Sequence, residues 1–180
     1  MARLVIRPIT RKVQRAAIAA WHSHHKRSTV GERLALGAFV DDLVAVVVMG
    51  SPPPELDDGA CWDVVRLACG PAAPRFAASR LLGAAGRVMT AAGVTLQLSY
   101  TRVDEKGMCY LAAGWTPVAV VPGRESTTGN RALRWLPGLY DPGTEIVDRV
   151  RWERGERARP RGALWTGAMW VPAHRVQEAA

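Results

Sequence analysis

Residues 43–49, LVAVVVM, form one of the longest unbroken apolar runs in the chain. The run is far too short to cross a bilayer, which needs about 20 apolar residues in a helix. Its β-branched content suits a pleated strand. The segment before it, ERLALGAF (32–39), is also apolar-rich, and VDD lies between the two. Together they predict two antiparallel strands, 32–39 and 43–50, joined by a tight turn. A chain built around such a pair must bury it against other elements. With 180 residues, 48% of them hydrophobic, this one can build a single sizeable core.

The neighbouring segments supply those elements. RLVIRPI (3–9) reads as a first strand. Thr10 is a suitable cap for a helix over 11–21, in which Val13, Ala16, Ala17, Ala20 and Trp21 make an amphipathic stripe. SPPPELDDG (51–59) is a loop and CWDVVRLAC (61–69) a strand. After the breaker GPAAP comes a small-residue helix over 75–93, with Gly93 as its terminating glycine. A strand over 94–101, a short helix over 104–114 and a strand over 115–123 follow. The stretch 124–148 is loop-rich, and 146–154 suits a last strand. The order β-α-β-β-β-α-β-α-β implies an α+β fold with a mixed, mostly antiparallel central sheet flanked by helices. We take 1–154 as one domain and 155–180 as a basic, Trp-containing tail.

Charge is unevenly spread. The net charge is +8, with a balance of +7 in residues 1–33, −3 in 34–148 and +4 in 149–180. Basic ends favour a nucleic-acid or other polyanionic partner, or else form a solvated basic face. The tail mixes arginines with Trp165 and Trp170. It could stack an unpaired base, or the two tryptophans could pack the tail on the domain. The N-terminus MARLVIRPITRK has no secretory apolar stretch, and the three cysteines (Cys61, Cys69, Cys109) lack CxxC spacing. These features suggest a cytoplasmic protein, off the membrane, with reduced and mostly buried thiols. The oligomeric state stays open, a dimer included.

The most unusual stretch is WHSHHKR (21–27), which holds three of the four histidines. His24 or His25 could act as a general base. His22, His24 and Asp63 could hold a metal ion as a two-His-one-carboxylate centre. The cluster with Lys26 and Arg27 could grip a phosphate. A polar turn after a helix is the fourth reading. Arg66 on an apolar strand is costly unless it is paired or faces a cleft. Asp63, three residues away, falls on the opposite face of a regular strand, so the two would meet only across a bulge.

The centre of the chain carries a resemblance. Residues 64–123 run strand, loop, helix, strand, short helix and turn. Arg75-Phe-Ala-Ala78-Ser79-Arg80 resembles the acyl-CoA pyrophosphate loop of the GNAT (Gcn5-related N-acetyltransferase) fold, with Ala78 and Arg80 departing from its pattern. Tyr110-Leu-Ala-Ala-Gly114-Trp115 resembles that fold's later turn, with Trp for Phe. A narrower likeness spans His22, His24, His25, Lys26, Gly31, Val65, Arg66, Leu67, Gly70, Ser79, Ser99, Tyr100, Thr101, Glu105, Gly107 and Leu111 to Trp115. It is similar to a GNAT-like group of phages and mobile elements related to the DNA-modification protein Mom.

The resemblance implies a transferase that modifies the bases of double-stranded DNA, adenine foremost, by carbamoylmethylation to evade restriction. The alternatives are an N-acetyltransferase acting on a protein or small-molecule amine, and a silent DNA-binding module. It implies acetyl-CoA or a related acyl-CoA, held by Gly70, Arg75, Ala78, Ser79, Arg80 and Tyr110, with a metal ion as an option. His24, His25, Asp63 and Tyr100 become the catalytic candidates. His22, Lys26, Arg27, Arg66 and Trp115 become the substrate contacts. Tyr100 could protonate a leaving thiolate or stack on a base, and Tyr110 could take the thiolate role, which resembles that of the corresponding tyrosine in GNAT enzymes; a buried tyrosine with a satisfied hydroxyl is the other reading for both.

Overall fold

The computed structural model describes residues 3–22, 31–123 and 147–174. Strand β1 (Val5–Pro8) leads into helix α1 (Arg11–Trp21), and strands β2 (Glu32–Phe39), β3 (Leu43–Gly50) and β4 (Cys61–Cys69) follow. Helix α2 (Ala77–Ala91), β5 (Leu96–Arg102), the short helix α3 (Met108–Ala112) and β6 (Thr116–Val121) come next. The described chain ends with β7 (Arg149–Arg154), β8 (Ala163–Trp165) and β9 (Trp170–Pro172). The fold is α+β, as its element order predicts.

Seven strands form one sheet in the order β1-β2-β3-β4-β5-β7-β6. Every pairing is antiparallel except β4 with β5. The apolar run in β3 explains the layering, because a strand covered on both faces needs apolar side chains at every position. Val47 and Met49 point to the face that α2 covers, where they join Leu81, Met89 and Trp152. Val46 and Val48 point to the opposite face, with Ala17 and Ile18 of α1.

Local chemistry sets the helix ends. The Thr10 side chain accepts the Val13 N–H at 3.4 Å, a long cap bond. Gly93 adopts φ +82° just beyond α2. The short helix is briefer than the 104–114 expected, because Gly107 (φ +65°) and Gly114 (φ +78°) bracket it with left-handed turns. Of the three thiols, Cys61 is buried, Cys109 half-buried and Cys69 exposed, so the expectation of mostly buried cysteines holds for Cys61 alone. Burial pushes the Cys61 and Cys109 thiols up to about 11.

Residues 155–174 fold against the domain. Strands β8 and β9 pair as a hairpin. Ala163 and Trp170 join the main core, and the Trp170 ring packs edge-on to Trp152 at 5.2 Å. The Trp170 indole N–H also donates to the Glu105 carbonyl at 3.0 Å. Trp165 rests against Trp170 at 5.7 Å. The two tryptophans therefore pack the hairpin of residues 163–172 onto the sheet, the second of the two roles open to them.

Candidate active site

The site begins with a fork in the sheet. Strands β4 and β5 pair only from Cys61↔Leu96 to Val64↔Ser99. Beyond that point Val65–Cys69 and Tyr100–Arg102 separate. Both edges there carry backbone groups released from the ladder, which can meet an extended ligand by strand-like hydrogen bonds.

A β-bulge sits at the same place. Met49 pairs with Val64 and Val48 pairs with Arg66, so Val65 is an extra residue on β4. The bulge changes which face Arg66 occupies. Paired residues share a face, and Gly50 and Val48, two apart on β3, both face α1. Their partners Asp63 and Arg66 therefore lie on that face together. The bulge named in the sequence as the one condition for their meeting is present.

The same register argument extends across the sheet. Asp63 pairs with Leu98, so Tyr100, two residues on, shares its face. Tyr100 pairs with Arg151, Leu98 with Glu153 and Arg102 with Arg149. Arg66, Asp63, Tyr100, Arg151 and Arg149 thus form a polar row across the α1 face, beside the fork. Helix α1 covers the β2–β4 end of this face. There Gln14 donates to Glu32 Oε1 at 3.0 Å, and Arg11 pairs with Glu32 at 3.2 Å.

Asp63 is the central group. It is 9% exposed, and its Oδ1 is buried with no hydrogen-bond partner among the described residues. Burial pushes its carboxyl up to about 7, although Arg66 and Arg151 pull it down. A carboxylate whose pKa lies near neutrality suits proton abstraction. Burial likewise raises the Tyr100 hydroxyl.

On the other face of the fork sits Tyr110. Its hydroxyl lies 2.8 Å from Ser99 Oγ, and the Ser99 hydroxyl is 3.1 Å from the Val64 carbonyl. These are the last paired residues before the fork opens. The Tyr110 ring stacks on Trp152 at 5.2 Å and meets Trp115 edge-on at 5.7 Å. Burial raises its pKa well above the usual range, so the hydroxyl keeps its proton.

The loop from β4 to α2 supplies an anion-binding end. No side chain caps the α2 N-terminus, whose first turn holds Ala77, Ala78 and Ser79. Amide N–H groups at such an end attract phosphate. Arg80 lies over the Phe76 ring at 4.5 Å, and Ser79 Oγ donates to the Phe76 carbonyl. An open groove of about 440 Å³ runs past Ser79, Arg80, Gly83, Arg87, Ala112 and Ala113. The uncapped helix end, its small side chains and the neighbouring Arg80 have the donor chemistry that a pyrophosphate needs.

Several expected site residues have other duties. Trp115, expected against the substrate, is 2% exposed and belongs to the core. Its apolar bulk is spent on Tyr110. Gly70, expected in the cofactor loop, lies under Trp21, where a Cβ would come within 2.8 Å of the indole. Its small size serves the packing of α1 on the sheet. His22 is the C-terminal cap of α1, and its backbone N–H donates to the Ile18 carbonyl at 3.0 Å. His24, His25, Lys26 and Arg27 lie outside the described residues. Among the described residues no three His, Cys, Asp or Glu side chains come together as a metal site.

Two contributors carry no motif of their own in the sequence. Ser99 enters only through the likeness, and Arg151 only as one position of the strand expected over 146–154. The alternation Arg149-Val-Arg151-Trp-Glu153 carries the signal, since apolar residues on one face of a strand leave the charges to share the other.

The fold, a mixed and mostly antiparallel sheet with helices on both faces, is shared with solved acetyltransferases of the GNAT family. Among solved structures it is similar to the Bacillus subtilis acetyltransferase in complex with CoA (14% identity, 85% of this chain and 99% of that one, TM-score 0.59). It is also similar to an N-acetyltransferase from Staphylococcus aureus Mu50 (10% identity, 86% and 99% covered, TM-score 0.60). Salmonella typhimurium yncA, solved with its cofactor acetyl-CoA, matches at 10% identity (87% and 95% covered, TM-score 0.58). At these identities the likeness is one of fold. No protein family and no curated protein matches the chain by sequence. No helix among the described residues is long and apolar enough to cross a membrane.

Proposed function

We propose that the chain is a GNAT-type N-acyltransferase that moves an acyl group from an acyl-CoA to an amine. One observation carries the reading: the β4–β5 fork has a near-neutral carboxyl, Asp63, on one face and a protonated hydroxyl, Tyr110, on the other. An acyl-CoA supplies an activated thioester carbonyl when bound. The α2 N-terminus with Arg75, Ser79 and Arg80 holds its pyrophosphate. Asp63 Oδ1 takes a proton from the acceptor amine as that amine attacks. The Tyr110 hydroxyl gives a proton to the departing sulfur, and Ser99 aims it. Tyr100 and Arg66 line the acceptor side.

The test is acetyl-CoA titration by calorimetry, followed by thiol-release assays on a panel of amines. We expect Asp63→Asn to keep acetyl-CoA binding and to lose about 100-fold or more in kcat/KM, the scale of general-base catalysis. Failure of the wild type to bind acetyl-CoA would overturn the reading.

A second acceptor is favoured by the basic balance of +7 in residues 1–33. It is the exocyclic amine of a DNA base, the Mom-like reading. Nucleoside masses from plasmid DNA, digested after expression of the wild type or Asp63→Asn, test it. A new adenine-derived mass with the wild type alone supports it, and unchanged nucleosides oppose it.

A further inference from the structure

The α1 face of the fork holds two arginines, each with a buried N–H that no described residue accepts. Arg66 donates through Nη1 to the Val65 carbonyl at 2.6 Å, and its Nε is buried without an acceptor among the described residues. Arg151 pairs through Nη2 with Glu153 at 2.8 Å, and its side chain is only 15% exposed. Its Nε is likewise buried without an acceptor among the described residues. Two buried N–H donors in that condition are costly, because each has lost water and gained nothing in return. Glu153 is already shared. It accepts from the Arg159 backbone N–H at 2.7 Å and from the Arg159 and Arg151 guanidiniums. Asp63, its carboxyl pushed up by burial, offsets the two cations only in part, and its Oδ1 accepts no hydrogen bond from either guanidinium. Arg149, paired with Arg102 on the same face, adds a further cation at its edge.

We infer that the acceptor carries an anionic group, phosphate or carboxylate, close to its amine, and that Arg66 and Arg151 bind that group. The inference rests on the acyltransferase reading and names its substrate class. The planar guanidinium fork matches the oxygens of both anions, and such bonds strengthen where water is excluded. The two donors are buried at the fork, and that depth selects a small acceptor: a free phosphorylated or carboxylated amine can enter where the backbone of a duplex cannot. The amine then falls beside Asp63, which shares the face with both arginines.

Phosphoethanolamine and ethanolamine form the matched probe pair. Binding is measured by calorimetry and acetyl transfer by thiol release, on the full chain. We expect phosphoethanolamine to bind at least about tenfold more tightly than ethanolamine, the scale of hydrogen bonds to charged groups. Arg66→Gln and Arg151→Gln should each erase that preference, Arg151→Lys should keep part of it, and Arg7→Gln, on the distant edge strand β1, should not change it. Thermal melts identify any variant that fails to fold, and Arg151→Lys is the milder backup. Equal binding of the two probes by the wild type would overturn the proposal. So would a preference that survives in both glutamine variants, or displacement of phosphoethanolamine by a short DNA duplex. If acetyl-CoA does not bind and no amine is acetylated, the acyltransferase reading fails, while the calorimetric preference still reports on the anion site by itself.

Discussion

Asp63 and Tyr110 divide the work of proton transfer because their surroundings differ. Asp63 faces two arginines that limit its shift, and Tyr110 is enclosed by Trp115, Trp152 and Ser99. A base must be ionised to act, so kcat/KM should rise with pH and level off above about 7. The rising limb should vanish in Asp63→Asn. Tyr110→Phe removes one hydroxyl and leaves the ring packing intact. It should slow transfer by roughly 100-fold while the rising limb stays at the same pH. It should also cost about 1 kcal/mol of stability, read by urea unfolding, because Ser99 loses its partner.

At the scale of elements, the fork and the short helix depend on backbone details. The Val65 bulge turns Arg66 onto the face of Asp63, and the separation of β4 and β5 begins beside it. Gly107 starts α3 with a left-handed turn, and a Cβ there would lie 2.3 Å from the Trp152 ring. Gly93 has the same kind of φ with nothing within 4 Å of a new Cβ. Gly93→Ala should therefore cost only the conformational penalty of about 1 kcal/mol. Gly107→Ala should cost clearly more, because Trp152 must move and it supports Tyr110. Paired thermal melts of the two variants measure the difference.

For the molecule as a whole, burying Asp63 sets a conflict between folding and function. Its folded pKa of about 7 lies above the ordinary 3.8, so the folded state holds a proton that the unfolded state has lost. This group's contribution to stability is neutral below about 4 and grows more unfavourable as pH rises toward 7. The full cost is on the order of 4 kcal/mol. Asp63→Asn should hence gain stability over the wild type as pH rises from 4 to 8, while losing activity. Unfolding free energies of both proteins across that range test this. A trade of stability for activity at one carboxyl is common where an active group must be buried.

Much of the architecture was legible in the chain. The apolar run at 43–49, the Thr10 cap and the terminating Gly93 are local signals, and each predicted element appears within a few residues of its expected ends. Alternation and capping act between near neighbours, so sequence order alone reveals them. The loop and turn of residues 75–80 and 110–115 likewise carried a resemblance to the GNAT fold that the architecture bears out. What tertiary structure alone decided is the site. That Asp63 and Arg66 share a face depends on one extra residue opposite β3. That Arg151 joins them depends on β7 inserting between β5 and β6, far along the chain. That Trp115 and Gly70 serve packing depends on Tyr110 and Trp21, which the fold brings against them. Composition and spacing state which groups a chain owns. Register between distant strands states which of them meet, and only the folded sheet sets that register.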